Sequence, residues 1–409
     1  MDENISWKVV YLATIFSLIV LGFAYWLISP KGSEYFTEEK TAKIAEFKNT
    51  RISGKKEGKR LWEFFAAEGW SNKNREITFL NHVSKGKIYR AGEVVVTELT
   101  APYAKAYRST DIVEVFGFPE GQNQGATELK ASINLGKISK CSDPGEWNRF
   151  KADCLKHIPN DDRSEMAGHV ELHKKDSSIY ADKINIDHSK DIADISDNIR
   201  LQRKDGVLKA DQIRYFSNEE KMDANGNVDL NVAEGRIKTR VKASRASFFT
   251  DITKLMTLQG SLEVVQGKKI AVANEGTYSQ KNKALTLKGS SKTVFGKAQA
   301  ILKETTVKKL KNIEAKQILT QQTVLTSDEI VFSTQDGKVD ASGNVFVTQK
   351  DRAAKSDRAI YDDSEETLTL TGNVFMKKEG EWVKARKVIV SVVNETFEAI
   401  GEVEAEFTL

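Results

Sequence analysis

The sequence predicts an all-β protein: an elongated stack of antiparallel strand units behind one N-terminal transmembrane helix. Three observations predict it. A 29-residue repeat runs through most of the chain, apolar residues alternate with period two inside each unit, and all five prolines lie at or before position 159. A proline inside a sheet removes a ladder hydrogen bond, so the proline-free run 160–409 suits continuous strand pairing. Charged residues at 29% and hydrophobic residues at 40% exclude a polytopic membrane protein and a disordered tail. Lys plus Arg is 62 against 58 Asp plus Glu, so no basic field points to nucleic acid, and no nucleic-acid partner is expected. Two cysteines are too few for a disulfide-stapled scaffold or a Cys-rich zinc site.

Residues 1–8 form a short tail, read as cytoplasmic, and residues 9–28 are the span. The run from Val9 to Ile28 carries no charge. At about 1.5 Å per residue it makes roughly 30 Å of helix, the thickness of a hydrocarbon core. Trp7 and Lys8 stand at one end, with Tyr25 and Trp26 near the other, as in an interfacial aromatic belt. A cleavable signal would have a shorter apolar core and a small-x-small site, whereas Ser29-Pro30-Lys31-Gly32 follows here. Residues 29–50, rich in Lys, Glu and Thr, read as a linker. With one span, everything after it lies on one side of the membrane.

The repeat is clearest near the C-terminus. Gly343-Asn344-Val345 recurs as Gly372-Asn373-Val374 and Gly401-Glu402-Val403; earlier copies are Gly168-His169-Val170, Asp197-Asn198-Ile199 and Gly226-Asn227-Val228. Gly260-Ser261-Leu262 and Gly289-Ser290-Ser291 continue it. A second landmark keeps step, a small residue followed by a polar one: Ala181-Asp182, Ala210-Asp211, Ala273-Asn274, Ser356-Asp357 and Ala385-Arg386. Gly and Asn accept positive φ, so the Gly-Asn pairs read as tight turns, and each unit as two or three strands. Residues 51–165 form a degenerate first portion with a Cys-containing insertion at 136–165, and residues 166–409 form the regular repeat portion.

No nucleophile elbow, phosphate loop, dinucleotide fingerprint or zinc-protease motif occurs, so neither an enzyme nor a cofactor site is expected. His82, His157, His169, His173 and His188 form no metal constellation in the sequence. Cys141 and Cys154 flank the insertion; in an oxidising compartment they close a disulfide, and otherwise they are two free thiols.

Strand parity selects the residues of the apolar face. Near the C-terminus these are Val345, Val347, Leu368, Leu370, Val374, Met376, Val388, Val390 and Val403. In the middle they are Ile199, Leu201, Val228, Leu230, Leu258, Leu262, Val264, Leu285 and Leu287. Between two closed sheets such residues make a dry core, and between splayed sheets they line a groove. Parity alone admits both.

The wording of the repeat narrows the choice. The segment 342–390, with its Gly-Asn-Val and Ser-Asp or Ala-Arg landmarks, resembles the OstA-like repeat of the LptC/LptA family of lipopolysaccharide-transport proteins. The front end, 52–69 followed by 77–83 and 99–104, is similar to the LptC branch, so the chain reads as an elongated LptC with LptA-like repeats. The resemblance implies an open, V-shaped antiparallel β-jellyroll whose groove shelters acyl chains. It implies a single-pass inner-membrane protein with its β portion in the periplasm. Its implied partners are lipopolysaccharide or a lipid A-type glycolipid, the inner-membrane ABC transporter, and an LptA-like or LptD-like protein paired at a strand edge. The other reading is an anchored β-repeat scaffold of the envelope with a closed core.

Overall fold

A computed structural model describes residues 43, 45–122, 128–134, 148–174, 177–204, 206–251, 253–295, 322–391 and 396–407. The expected span at 9–28, almost all of the linker and Cys141 lie outside the described residues. Among the described residues no helix is long and apolar enough to cross a membrane.

The described residues form one antiparallel ladder. It opens with four long strands, β1 (Ala45–Lys56), β2 (Lys59–Ser71), β3 (Ile77–Arg90) and β4 (Glu93–Tyr107). Four short ones follow: β5 (Val113–Phe116), β6 (Leu129–Ile133), β7 (Asn148–Ala152) and β8 (Cys154–Ile158). The regular part runs through β9 (Arg163–Lys174), β10 (Ser177–Asp187), β11 (Ile192–Arg203), β12 (Gly206–Phe216), β13 (Lys221–Glu234) and β14 (Ile237–Phe249). It continues with β15 (Met256–Gln266), β16 (Lys269–Ser279), β17 (Ala284–Phe295), β18 (Thr323–Ser333), β19 (Val339–Gln349) and β20 (Arg352–Asp362). It ends with β21 (Thr367–Lys378), β22 (Glu381–Ser391), β23 (Thr396–Ile400) and β24 (Glu404–Glu406).

From β9 to β22 each strand pairs with its sequence neighbours, so one 29-residue unit is two strands. The ladder does not stop at either irregular place. β17 pairs directly with β18 across residues 296–321, and β6 pairs with β7 across 135–147. Residues 148–165, expected as part of an insertion, are ladder strands: β4 pairs with both β5 and β6, which pair with β8 and β7, and these pair with the two halves of β9.

The Gly-Asn pairs are not hairpin turns. They lie in the middle of the odd-numbered strands, where the register shifts by one extra residue against both neighbours. Gly226 and Asn227 have φ of 74° and 44°, and Gly372 and Asn373 have 76° and 46°. Two successive left-handed residues make a bulge, and a bulge bends a strand. Each strand therefore has two arms, one on either side of the bulge, and the stack has two arm-sheets.

The arms face each other. Leu201, Leu208 and Leu230 from the second arm and Phe248, Met256 and Tyr278 from the first line one small internal space. Inner residues of both arms form one apolar cluster from Trp62 to Val388. The turns between strands sit at the arm tips, where side chains of Asp cap the chain reversal: Asp362 accepts from the Ser364 and Glu365 amides, as Asp187 does from Ser189 and Lys190. The fold is all-β, with its strands bent into two facing arms.

Candidate functional site: an apolar interior between two arms

The bend is fixed by a repeated polar clamp. Asn227 Nδ2 donates to Asp211 Oδ2 at 2.8 Å, Asn344 to Asp328 at 2.8 Å, and Asn373 to Asp357 at 2.9 Å, each pair 16 residues apart. The same bond joins Asn198 to Asp182 at 2.5 Å, and His169 meets Asp153 at 2.7 Å. The two landmarks of the repeat are thus the two ends of one hydrogen bond. Two copies were not read from the sequence, Ala152-Asp153 inside the expected insertion and Ser327-Asp328 in the loosened stretch. Each lies 29 residues before a recognised one, which is the signal that identifies it. Glycine fits best beside the clamp: a Cβ on Gly372 would stand 2.3 Å from Asp357 Oδ2, at a φ that L-residues avoid, and only at the Asn198 copy does another residue, Asp197 at φ 64°, take the place among the Asn–Asp clamps.

Inside the arms, alternation places the expected apolar residues as follows. Ile199, Leu201, Val228, Leu230, Leu258, Leu262, Val264, Leu285 and Leu287 are buried. So are Val345, Leu370, Val374 and Val388. Val347, Leu368, Met376 and Val390 are half-buried and pack on the same cluster. Val403 departs from the expected parity. It follows the Gly401-Glu402 bulge, outside both β23 and β24, and is 50% exposed.

The interior is not uniform. Around β9–β16 its spaces are about 30 Å³ each, room for about one water. Toward the C-terminus it opens into a cavity of about 440 Å³. Val347, Leu368, Leu370, Met376 and Val390 line it, and Phe397 and Phe407 stand at its outer end. Arg352, Lys377 and Lys378, with Glu381, give it a rim of mostly positive charge. Phe397 was missed by parity, yet it lies 29 residues after Leu368 and pairs with Val390, so the repeat predicts it. An apolar chamber with a charged rim can hold hydrocarbon and leave a polar head in water.

The histidines do come together in one place. His157 Nδ1 lies 2.9 Å from Ser164 Oγ, which lies 2.8 Å from His188 Nε2, and all three residues are buried. Burial pushes His157 down to about 3 and His188 down to about 4, so both rings are neutral and the cluster is a hydrogen-bonded plug at the arm tips. Among the described residues no group of three or more His, Cys, Asp or Glu is placed to hold a metal ion. Cys154 opens β8 and is half-buried, while the other half of the expected bridge lies outside the described residues.

Comparison with known proteins follows the same lines. The family model described as LptA/(LptD N-terminal domain) LPS transport protein matches residues 149–301 and again residues 284–396. Among curated proteins none matches the sequence. Among solved structures the chain is similar to LptH of Pseudomonas aeruginosa, described as the LptA homologous periplasmic component of the conserved lipopolysaccharide transport device. The identity is 11%, over 42% of this chain and 95% of that one, with a TM-score of 0.21. The assignment rests on the family model, whose two matches together cover more than half of the sequence and begin where the clamps begin, at β7. The chain belongs to the LptA/LptD N-terminal-domain family of lipopolysaccharide-transport proteins.

Proposed function

We propose that this chain is a membrane-anchored component of lipopolysaccharide export. Residues 9–28 hold it in the inner membrane, and its β portion stands in the periplasm. There it shelters acyl chains between its arms and relays lipid from the inner-membrane ABC transporter toward the outer membrane. It performs no chemistry of its own. The observation that carries this reading is the 440 Å³ apolar cavity with its basic rim at the C-terminal end. Hydrocarbon left in water is unfavourable by about 0.8 kcal/mol per methylene, so several acyl chains need such a shelter to cross an aqueous space. Lys and Arg at the rim suit the phosphates of a lipid A-type glycolipid.

The same end supports a strand-edge partner. β23 and β24 are short and exposed, and Phe397, Ile400, Val403 and Phe407 are 49%, 41%, 50% and 64% exposed. An LptA-like or LptD-like protein pairing here would cover them and extend the apolar interior. A second reading, the anchored scaffold, is favoured by the tight packing around β9–β16.

Photo-crosslinking in cells decides between them. A photoreactive residue replaces Met376 in the cavity, or Lys355 on the exposed outer face as the control. Lipopolysaccharide adducts at position 376 and none at 355 are expected. No adduct at 376, in cells exporting lipid normally, would overturn the conduit in favour of the scaffold.

A further inference from the structure

The two arms are joined at the bend by the backbone ladder, and they are joined again at their tips. Arg203, ending β11, donates to the carbonyls of Phe249 and Thr250 beyond the tip of β14, at 3.3 and 3.1 Å. Lys283, in the turn before β17, reaches Glu234 at the end of β13 at 2.8 Å. Gln266, ending β15, donates to the Ser333 carbonyl at the end of β18 at 2.9 Å. Lys269 makes the densest crossing: its ammonium meets the Gly337 carbonyl at 2.6 Å, the Asp363 carboxylate at 2.5 Å and the Gln266 side chain at 3.3 Å.

Apart from the Lys269–Gln266 contact within one tip, each of these bonds joins a second-arm tip to a first-arm tip several strands further along, an offset that the twist of facing sheets produces. Together they cross the mouth that a V-shaped jellyroll leaves open. The crossing at Lys269 is also where the interior changes character. Before it the spaces are about 30 Å³, and past it lies the 440 Å³ cavity.

The crossings differ in kind from everything else that holds the arms. The bend is covalent backbone with ladder pairing on either side of each bulge, and it cannot open without unfolding strands. The tips are held by side chains, several of them half-exposed charges whose pairing water replaces readily. Lys269 is the exception, only 3% exposed, so removing its partner leaves a desolvated ammonium. Behind the crossings the walls are Leu201, Leu230, Leu258 and Val264, an apolar surface as suited to hydrocarbon as the open end.

We propose that these side-chain crossings are a latch line, with Lys269–Asp363 as its strongest element, and that the closed stretch of the interior takes acyl chains only when the latch parts. The proposal rests on the lipid-conduit reading for its ligand, but the latch itself can be tested without lipid.

The test uses the full anchored chain in detergent micelles, with spin labels on non-canonical residues replacing Lys268 and Glu365, on opposite sides of the mouth. A single narrow distance is expected in the parent protein. Lys269→Met, and the gentler Asp363→Asn that keeps the side-chain shape, should broaden and lengthen it while the circular dichroism of the sheet stays unchanged. A distribution equally narrow in both variants would overturn the latch, whatever lipid does. A second measurement places a photoreactive residue at Leu230 or at Met376 and adds purified lipid A. With the latch intact, adducts are expected at 376 and at least tenfold fewer at 230, the difference shrinking in the variants. Equal adducts at both positions in the parent protein would also overturn the latch. Adducts at neither position would overturn the conduit reading and leave the distance measurement to judge the latch alone.

Discussion

Asn373 donates its side-chain amide to the carboxylate of Asp357 on the adjacent strand, 2.9 Å away, and Gly372 lies directly beneath that carboxylate. This triad fixes the bend that turns a flat ladder into two facing arms. Gly372→Ala should therefore lower stability twice over, through a left-handed φ and through a Cβ driven into Asp357. A loss of about 2–4 kcal/mol is expected in urea unfolding. Gly380 is the control: its φ is 104° but nothing lies within 4 Å of a Cβ there, so Gly380→Ala should cost about 1–2 kcal/mol. Equal losses at the two positions would mean that the carboxylate contributes nothing to the bend.

The two regimes of the interior predict opposite mutational behaviour. Leu230 is 5% exposed in the closed stretch, so Leu230→Ala should cost about 2–5 kcal/mol by leaving a void. Leu368 borders the 440 Å³ cavity and is only half-buried, so Leu368→Ala should cost about 1 kcal/mol or less. Leu368→Trp fills space that already exists, and should leave stability within about 0.5 kcal/mol while reducing lipid adducts at position 376 severalfold. A strongly destabilised Leu368→Trp would show that the cavity is packed in solution.

The buried pair His157 and His188 ties stability to acidity. The charges around it are Arg90, Asp162, Asp187 and Asp191, and burial is the leading cause for both rings. Both folded values, about 3 and about 4, lie below the unfolded value near 6.5. Between those limits the unfolded chain binds protons that the fold refuses. The stabilisation is whole above about pH 6.5 and is lost progressively as pH falls toward 4 and then 3. Urea midpoints should drop by an amount worth a few kcal/mol between pH 7 and pH 4.5. His157→Asn should flatten that slope while lowering the midpoint at pH 7; an unchanged slope would mean that other groups govern it.

Much of this was legible in the sequence because the repeat is written twice, at Gly-Asn and at Ala-Asp, and because alternation fixes which face is apolar. The role of Gly-Asn was not legible, since positive φ is equally good chemistry for a hairpin turn and for a bulge; only pairing on both sides of Asn227 or Asn373 tells them apart. Val403 was misplaced although it holds the repeat position of the buried Val345 and Val374: their strands pair on both sides, whereas the three-residue β24 that follows Val403 pairs only with β22 among the described residues and leaves its face uncovered. The division of the interior into closed and open stretches was invisible for a different reason. Leu230 and Met376 occupy equivalent repeat positions, each two residues after the valine that follows the bulge, and what separates their surroundings is contact between residues far apart in sequence, such as Lys269 with Gly337 and Asp363, 68 and 94 residues on. The His157–Ser164–His188 plug was hidden in the same way.

The segment 296–321 interrupts the ladder in sequence but not in space, because Phe295 and Thr323 are direct partners and the pairing continues from them to Ala284 and Ser333. Replacing residues 296–322 with a two-residue Asn-Gly turn should therefore leave the fold intact. It should also stabilise it. Shortening the connection more than tenfold removes three to four doublings of loop length, each worth about 0.6 kcal/mol of closure entropy, so a gain near 2 kcal/mol is expected in urea unfolding. A loss instead of a gain would mean that the segment supplies contacts the ladder needs.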